Sequence, residues 1–392
     1  MRPLEGRRLW FVGIGGAGLS AYAAIAAAWG AEIGGWDRVD TGYLAPLRAH
    51  EIVIAAEPVV PDGWEVVVST AYADRVRGAS RATFLAELVG LRDSLVVAGA
   101  HGKTTTTGMI AYVLARLGRD PAYAIGGDIP QLGGNAGTGE GWFVVEGDES
   151  DRTIAALRPQ VAVVLNVELD HHTEFASLAE VHGLFDEWTS NIPHVVRAAE
   201  LEPVDFELAL RGEHNRLNAA AALAALAYCG VDSSEAQPHL AAFTGAARRF
   251  ELRGEVGGVK VFDDYAHHPT EIAATIATAR ELGARRVLVL FQPHLYSRTR
   301  HLAKEFGRAL AGADIVAVGD VYAARERGSG VSGKLVVDAT SDARGGARVG
   351  WTPDVGEGAR WLAGLARTGD VVLTVGAGSV DDAVPVLLEA LT

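Results

Sequence analysis

The sequence is poor in cysteine and in positive charge. Among its 392 residues Cys229 is the one cysteine, so a disulfide within the chain is excluded. The 35 basic residues are outnumbered by 49 acidic ones, and the net charge of −14 argues against a nucleic-acid or anionic-membrane partner. The alanine-rich runs 21–28 and 219–227 are too short and too weakly apolar to span a bilayer. We therefore expect a soluble cytoplasmic protein with no membrane and no nucleic-acid partner.

Strand-like and helix-like patterns alternate along the chain, which is typical of the α/β class. The first strand is expected from Leu9, too early to leave room for a signal peptide. The length favours several domains, and we predict three: residues 1–92, 93–244 and 245–392. The first and third are expected to be Rossmann-like. The second is expected to resemble a P-loop ATPase with a mostly parallel sheet.

Residues 94–118 place an apolar run, a glycine loop and a helical pattern in direct succession. This order is typical of a polyphosphate site, because loop N–H groups and the helix N-terminus both favour anions. Lys103 is predicted to neutralise the β and γ oxygens, and the Thr104 hydroxyl to hold Mg²⁺. The spacing is GxxGKT rather than GxxxxGKT, with Val97 where the longer motif has glycine. The alternative is an ordinary strand-to-helix turn whose threonines cap the helix.

A second glycine pattern, Gly13-x-Gly15-x-x-Gly18, lies near the start of the chain. Asp37 follows nineteen residues after the last glycine, where a Rossmann unit has its ribose-binding acid. The tight turn predicts a diphosphate site, whatever nucleoside the diphosphate carries. The alternative is that the glycines only allow close strand–helix packing.

Several polar segments follow predicted strands, where ligands of α/β proteins bind. Glu146 is predicted as a Mg²⁺ ligand, although the acidic run 146–151 also fits a solvated loop. The histidine pairs 171–172 and 267–268 lack the partners of a structural zinc site. Arg298 is predicted to bind a carboxylate or phosphate, against the alternative of a surface arginine at a helix start.

Eight segments in order along the chain together resemble the Mur ligase family. They are FVGIGGAGLS (11–20), GAHGKTTTT (99–107), EGDESD (146–151), LNVELDH (165–171), GEHNRLNAAAALA (212–224), ARRFE (247–251), DDYAHHPTEI (263–272) and FQPHLYSRT (291–299). The last two segments are the most specific. Within the family their wording resembles the members that add L-alanine to UDP-N-acetylmuramate.

The resemblance implies a cytoplasmic enzyme of peptidoglycan precursor synthesis. Its three domains would bind the UDP-sugar, ATP and the amino acid in that order, and Mg²⁺ would be required. The sugar's lactyl carboxylate would attack the γ-phosphate of ATP, and L-alanine would displace phosphate from the acyl phosphate formed. A monomer or weak homodimer is expected.

The resemblance also implies residue roles. The UDP-sugar would contact Gly15, Gly16, Gly18 and Asp37. ATP would be bound by Gly99, His101, Gly102, Lys103, Thr104, Thr105, His214, Asn215, Asp264 and Tyr265. Mg²⁺ would be bound by Thr104, Glu146 and His171, and the acceptor site would be lined by His267, His294 and Arg298. Catalysis would depend on Lys103, Glu146, His171, His267 and Arg298.

The chain departs from the family pattern in two informative places. Leu295 stands where the family usually has arginine, which removes one cation from the expected acceptor site. The stretch from Pro193 to Gly212 is short, so we expect the central domain to lack a peripheral β segment. Three alternatives stay open: a ligase that adds a peptide to the same UDP-sugar, an NAD-dependent oxidoreductase, and a nucleotide-binding protein without catalysis.

Overall fold

A computed structural model of the chain describes residues 2–170, 174–324, 326–327, 330–344 and 348–392. The chain forms two compact units. The first comprises Met1–Glu168, Ser177–Leu210 and Asn215–Ala246; the second comprises Leu169–Ala176, Arg211–His214 and Ala247–Thr392. Among the described residues, no helix combines the length and the apolarity needed to cross a membrane.

The first sheet lies in the first unit and is wholly parallel. Its strands are β1 Arg8–Val12, β2 Glu32–Trp36, β3 Val53–Ala55, β4 Glu65–Val68 and β5 Ala79–Ser80, in the order β3-β2-β1-β4-β5. Its helices are α1 Ala17–Ala28, α2 Leu44–Ala49 and α3 Arg81–Gly90. The continuous apolar run of β1 is buried, as expected for a central parallel strand. This strand order is that of a Rossmann fold.

The second sheet, also in the first unit, has the order β11-β10-β6-β9-β7-β8. Its strands are β6 Ser94–Ala98, β7 Ala122–Ile129, β8 Gly134–Thr138, β9 Phe143–Glu146, β10 Val161–Val164 and β11 His194–Arg197. The helices are α4 Lys103–Arg116, α5 Leu178–Thr189, α6 Glu213–Tyr228 and α7 Ser233–Ala241. All pairs are parallel except β7 with β8. That antiparallel hairpin escaped the sequence analysis, because its glycine-rich sequence reads as a loop.

The central strand of this sheet, β6, determines where the site forms. All five of its residues are buried, and it lies between β9 and β10. Since the three strands are parallel, their carboxyl ends meet at one edge. The glycine loop after β6, Glu146 at the end of β9 and the residues after β10 therefore converge there.

The third sheet forms the core of the second unit, with the order β12-β13-β17-β14-β15-β16. Its strands are β12 Glu251–Val256, β13 Val259–Asp264, β14 Val287–Phe291, β15 Ile315–Val318, β16 Arg348–Trp351 and β17 Val371–Val375. The helices are α8 Pro269–Glu281, α9 Tyr296–Leu310, α10 Lys334–Arg344, α11 Val355–Ala363 and α12 Ala383–Ala390. β12 pairs antiparallel with β13, and the other pairs are parallel. Apolar cores cover both faces of this sheet.

These three sheets confirm the predicted α/β class, with its Rossmann-like first part and mostly parallel central sheet. The domain boundaries at residues 92/93 and 244/245 stay predictions.

Candidate active site

The glycine loop after β6 turns sharply into α4. Gly99 has φ +144°, and a Cβ there would lie 2.9 Å from the carbonyl oxygen of Asn166. Gly102 has φ +80°, and a Cβ there would lie 2.5 Å from Oδ1 of Asn218. Side chains at either position would therefore collide with the neighbouring backbone or amide. Because Gly102 is the residue before α4 and offers no side-chain cap, the alternative that the threonines cap this helix is wrong.

Lys103, the first residue of α4, folds back over this loop. Its Nζ donates to the carbonyl of Gly99 at 2.6 Å and lies 2.9 Å from both carboxylate oxygens of Glu149. Burial opposes the charge, but the carboxylates of Glu149 and Asp148 raise the pKa of Lys103 above its usual value. The lysine is therefore a fixed ammonium. Because Glu149 is buried and paired with it, the solvated-loop interpretation fails for that residue.

Thr104 and Glu146 place two hard oxygen ligands side by side. The Thr104 hydroxyl donates to Oε1 of Glu146 at 3.0 Å, and Oε2 accepts from the N–H of Gly126 at 2.7 Å. A Cβ at Gly126 would lie 2.8 Å from the same carboxylate, so this position on β7 has no room for a side chain. Hydroxyl and carboxylate oxygens suit Mg²⁺, so the donor set fits the predicted metal. His171, the third predicted ligand, lies outside the described residues.

Asn166 contacts the loop from the carboxyl end of β10. Its Oδ1 accepts from the N–H of His101 at 2.8 Å, and its Nδ2 donates to the His101 carbonyl at 3.1 Å. Its own carbonyl accepts from the N–H of Ala100 at 3.3 Å. The imidazole of His101 lies 3.1 Å from the carboxylate of Glu168. Ala100 and His101 are thereby held by hydrogen bonds to Asn166, just beyond the end of β10.

Helix α6 borders the other side of the loop. Asn218 packs on Gly102 and donates to Oδ1 of the buried Asn215 at 3.2 Å. Asn215 is a predicted nucleotide contact, and this amide pair connects it to the glycine loop after β6. Thr105, another predicted contact, is buried in the first turn of α4.

The glycine loop after β1 has a different internal structure. The carboxylate of Asp37 accepts from the N–H of Gly15 at 2.8 Å and from that of Val39 at 3.1 Å. The Thr41 hydroxyl donates to the Gly15 carbonyl at 2.6 Å. Asp37 therefore shapes the loop itself. Helix α1 follows from Gly16 with neither a side-chain cap nor an acid in its first turn.

Arg81, which the sequence analysis missed, lies beside the start of α1. A Cβ at Gly18 would lie 3.1 Å from its Nη1. Its Nη2 lies 3.3 Å from Asp151 and 3.5 Å from Asp148. Burial acts to raise the pKa of Asp148, but hydrogen bonds from Ser150 and the charges of Lys103 and Arg81 together hold this pKa below its usual value. Asp148 therefore interacts with two cations, Lys103 at the second glycine loop and Arg81 beside α1. No local motif marked Arg81 for this position.

The second unit holds the remaining predicted residues. Asp264 accepts from the N–H of Ala266 at 2.8 Å and from the Thr275 hydroxyl at 2.9 Å, and burial raises its pKa to about 6. Tyr265 donates its N–H to the carbonyl of Arg248 at 2.6 Å, and that guanidinium lies 5.2 Å from its ring.

Arg248 is a second residue whose place the sequence analysis missed. Its guanidinium donates to the buried Asp263 at 2.8 Å and to the Gly376 carbonyl at 2.9 Å. It therefore joins the ends of β13 and β17. Its position in the quoted segment ARRFE was the available signal.

His267, His294 and Arg298, the predicted acceptor-site residues, lie close to one another. The two imidazole rings are 6.1 Å apart, and Nη1 of Arg298 lies 3.2 Å from Nδ1 of His294. Burial lowers the pKa of His267 to about 3, so its ring is neutral at pH 7. Burial also lowers the pKa of His214, a predicted nucleotide contact in this unit.

Arg298 is almost fully buried, which rules out the surface-arginine interpretation. Its Nε and Nη2 each donate at 2.9 Å to one oxygen of Asp170. The guanidinium thus makes the two-pronged carboxylate contact for which arginine is suited, and the carboxylate is one of the chain's own.

Comparison with known proteins gives a consistent result. The family model "Mur ligase, glutamate ligase domain" matches residues 248–378. The UDP-N-acetylmuramate–L-alanine ligase of Streptomyces coelicolor is 41% identical, over 100% of this chain and 99% of the relative. That alignment spans 458 positions, so the relative has residues that this 392-residue chain lacks.

Two solved structures share the fold over nearly the whole chain. The UDP-N-acetylmuramate–alanine ligase of Thermotoga maritima superposes with a TM-score of 0.76 at 27% identity, covering 97% of this chain and 98% of its own. A murein peptide ligase from Psychrobacter arcticus superposes with a TM-score of 0.64 at 25% identity, covering 98% of this chain and 99% of its own.

Proposed function

The chain belongs to the Mur ligase family, and from that premise we propose that it joins L-alanine to UDP-N-acetylmuramate with hydrolysis of ATP to ADP and phosphate. The observation that carries the proposal is the loop after β6. There a fixed ammonium, a hydroxyl–carboxylate pair and a glycine turn meet at one sheet edge. Relatives with full-length alignments bear the name of this activity.

The proposed chemistry has two steps. The lactyl carboxylate of the sugar attacks the γ-phosphorus of ATP, the bond to the β-phosphate oxygen breaks, and ADP leaves. The amine of L-alanine then attacks the acyl carbon, loses a proton, and expels inorganic phosphate. Phosphoryl transfer depends mainly on positioning and charge neutralisation, and Lys103 supplies a cation beside the phosphate loop.

We propose a Mg²⁺ site formed by Thr104, Glu146 and His171. The adjacent hydroxyl and carboxylate oxygens support this proposal. The ion, when bound, would neutralise phosphate charge during transfer. The N–H of Gly126 and the hydroxyl of Thr104 fix both oxygens of Glu146 for that role.

The remaining site assignments are proposals of the same kind. Residues 1–92 would bind the UDP-sugar, 93–244 ATP, and 245–392 the amino acid. The sugar nucleotide would contact Gly15, Gly16, Gly18 and Asp37; ATP would contact Gly99, His101, Gly102, Lys103, Thr104, Thr105, His214, Asn215, Asp264 and Tyr265; the acceptor site would comprise His267, His294 and Arg298. We further propose that the protein acts in the cytoplasm as a monomer or weak homodimer.

Phosphate release across a panel of acceptors tests this proposal. With ATP, Mg²⁺ and UDP-N-acetylmuramate present, we expect release with L-alanine and none when either the sugar nucleotide or the amino acid is omitted. The panel includes other amino acids and the tripeptide L-Ala-γ-D-Glu-diaminopimelate. Release with the tripeptide alone would show a peptide ligase, and no release with any acceptor would point to a nucleotide-binding protein without catalysis.

A further inference from the structure

Asn166 lies just beyond the end of β10, where that strand runs beside β6. The parallel ladder between them pairs Val161 with Leu95 through Val164 with Ala98. Beyond the last pair, Leu165 donates its N–H to the Ala98 carbonyl at 2.9 Å. The Ala100 N–H then donates to the Asn166 carbonyl at 3.3 Å. The ladder of hydrogen bonds therefore continues past the ends of β6 and β10 into the glycine loop after β6.

The side chain of Asn166 extends this pairing by one residue. Its carboxamide accepts from the N–H of His101 and donates to the carbonyl of the same residue. A carboxamide has an acceptor and a donor on one rigid plane, whereas a carboxylate has acceptors alone. Asn166 thus satisfies both polar backbone groups of His101, directly before the turn at Gly102.

The close approach of Gly99 to Asn166 supports the same conclusion. A Cβ at Gly99 would lie 2.9 Å from the carbonyl oxygen and 3.0 Å from the nitrogen of Asn166. The Gly99 carbonyl also accepts from Nζ of Lys103. The segment held by Asn166 therefore sets where the lysine's backbone anchor lies.

From this geometry we infer that Asn166 is a positioning residue for the nucleotide: it fixes the backbone of residues 99–101 in the form that receives the phosphates. The inference rests on the proposed function for the identity of this loop as the ATP site. Asn166 itself makes no contact with substrate in this proposal. Its effect on ATP passes through the loop N–H groups and through Lys103.

Two variants separate positioning from general stability. Asn166→Ala removes both side-chain hydrogen bonds, and Asn166→Asp keeps the acceptor but replaces the donor with a carboxylate oxygen facing the His101 carbonyl. Asn166→Ala loses two hydrogen bonds, and Asn166→Asp loses one and sets a carboxylate oxygen against the His101 carbonyl. We therefore expect the Kd of Mg–ADP to rise about tenfold to thirtyfold in both variants. The Kd of UDP should stay within about twofold of the wild-type value.

The binding is measured by calorimetric titration of ADP and of UDP into the intact protein, with melting curves recorded for each variant. Asn191→Ala is the matched control, because this exposed amide contacts the neighbouring Ser190 hydroxyl and lies on the short segment after α5. We expect its ADP affinity to equal that of wild type.

ADP affinity within twofold of wild type in the folded variants would overturn the inference. So would an equal loss of ADP and UDP affinity, which would indicate a general structural defect. If Asn166→Ala fails to fold, Asn166→Asp and the same ratio of ADP to UDP affinity decide the matter. Wild-type protein that binds ADP but joins no alanine would refute the proposed reaction while leaving this test intact.

Discussion

The loop after β1 and the loop after β6 both lead from a buried central parallel strand to the N-terminus of a helix. They differ in where their charged groups lie. In the first loop the carboxylate of Asp37 accepts from the N–H of Gly15, and no acid or cap lies in the first turn of α1. In the second loop Lys103 provides an ammonium inside the turn, and Glu146 accepts a hydrogen bond from the hydroxyl of Thr104.

This difference fits the two tasks proposed for the two loops. A loop that must only bind a diphosphate can depend on backbone N–H groups and the helix dipole. A loop that must transfer a phosphoryl group needs a cation and metal ligands at defined positions. That contrast supports the proposed binding of the UDP-sugar at the first loop and of ATP at the second.

Removal of the cation should have the largest effect. We expect Lys103→Ala to lower kcat by about a thousandfold, because a preorganised charge at the transferring phosphate is lost. Phosphate release under saturating substrates measures the effect. The exposed Lys304 on α9 provides the control, and Lys304→Ala should retain wild-type turnover. Turnover of Lys103→Ala within tenfold of wild type would mean that the second loop does not carry the chemistry.

Gly102 of the second loop and Gly16 of the first should respond differently to alanine. Gly102 has a left-handed φ and no space for a Cβ, so Gly102→Ala should destabilise the protein by about 1–3 kcal/mol and weaken ADP binding. Gly16 has φ −74°, and a Cβ there would meet its nearest neighbour at an ordinary 3.5 Å. Gly16→Ala should therefore change stability by less than about 0.5 kcal/mol.

Denaturant unfolding and ADP titration of both variants measure this contrast. Equal losses of stability would show that the left-handed φ and the close contact at Gly102 do not make this position more sensitive than Gly16.

The sequence predicted the strands and loops whose signals are local. Apolar runs located β1 and β6, and the glycine pattern after each of them located both loops. The β7–β8 hairpin was missed because its sequence, rich in glycine, lacks the alternation that marks a strand. Gly126 on that hairpin donates to Glu146, so part of the candidate metal site was missed with it.

The missing partners of the site have a common physical origin. Asn166, Arg81 and Asp170 contact residues that are distant in the sequence. Local sequence patterns do not indicate such long-range contacts. Asp170 even accepts from Nε and Nη2 of Arg298, the arginine that was predicted to bind a carboxylate or phosphate. Strand-end position, as in the segment LNVELDH, was the one available signal for Asn166.

The central claim is that the two glycine loops are two separate nucleotide sites, and one competition experiment tests it directly. UDP is titrated calorimetrically into the wild-type protein alone and into protein saturated with Mg–ADP. We expect UDP to bind in both cases with the same stoichiometry and with Kd values that agree within about twofold. A UDP Kd that rises in proportion to the ADP concentration would show one shared site and contradict the account.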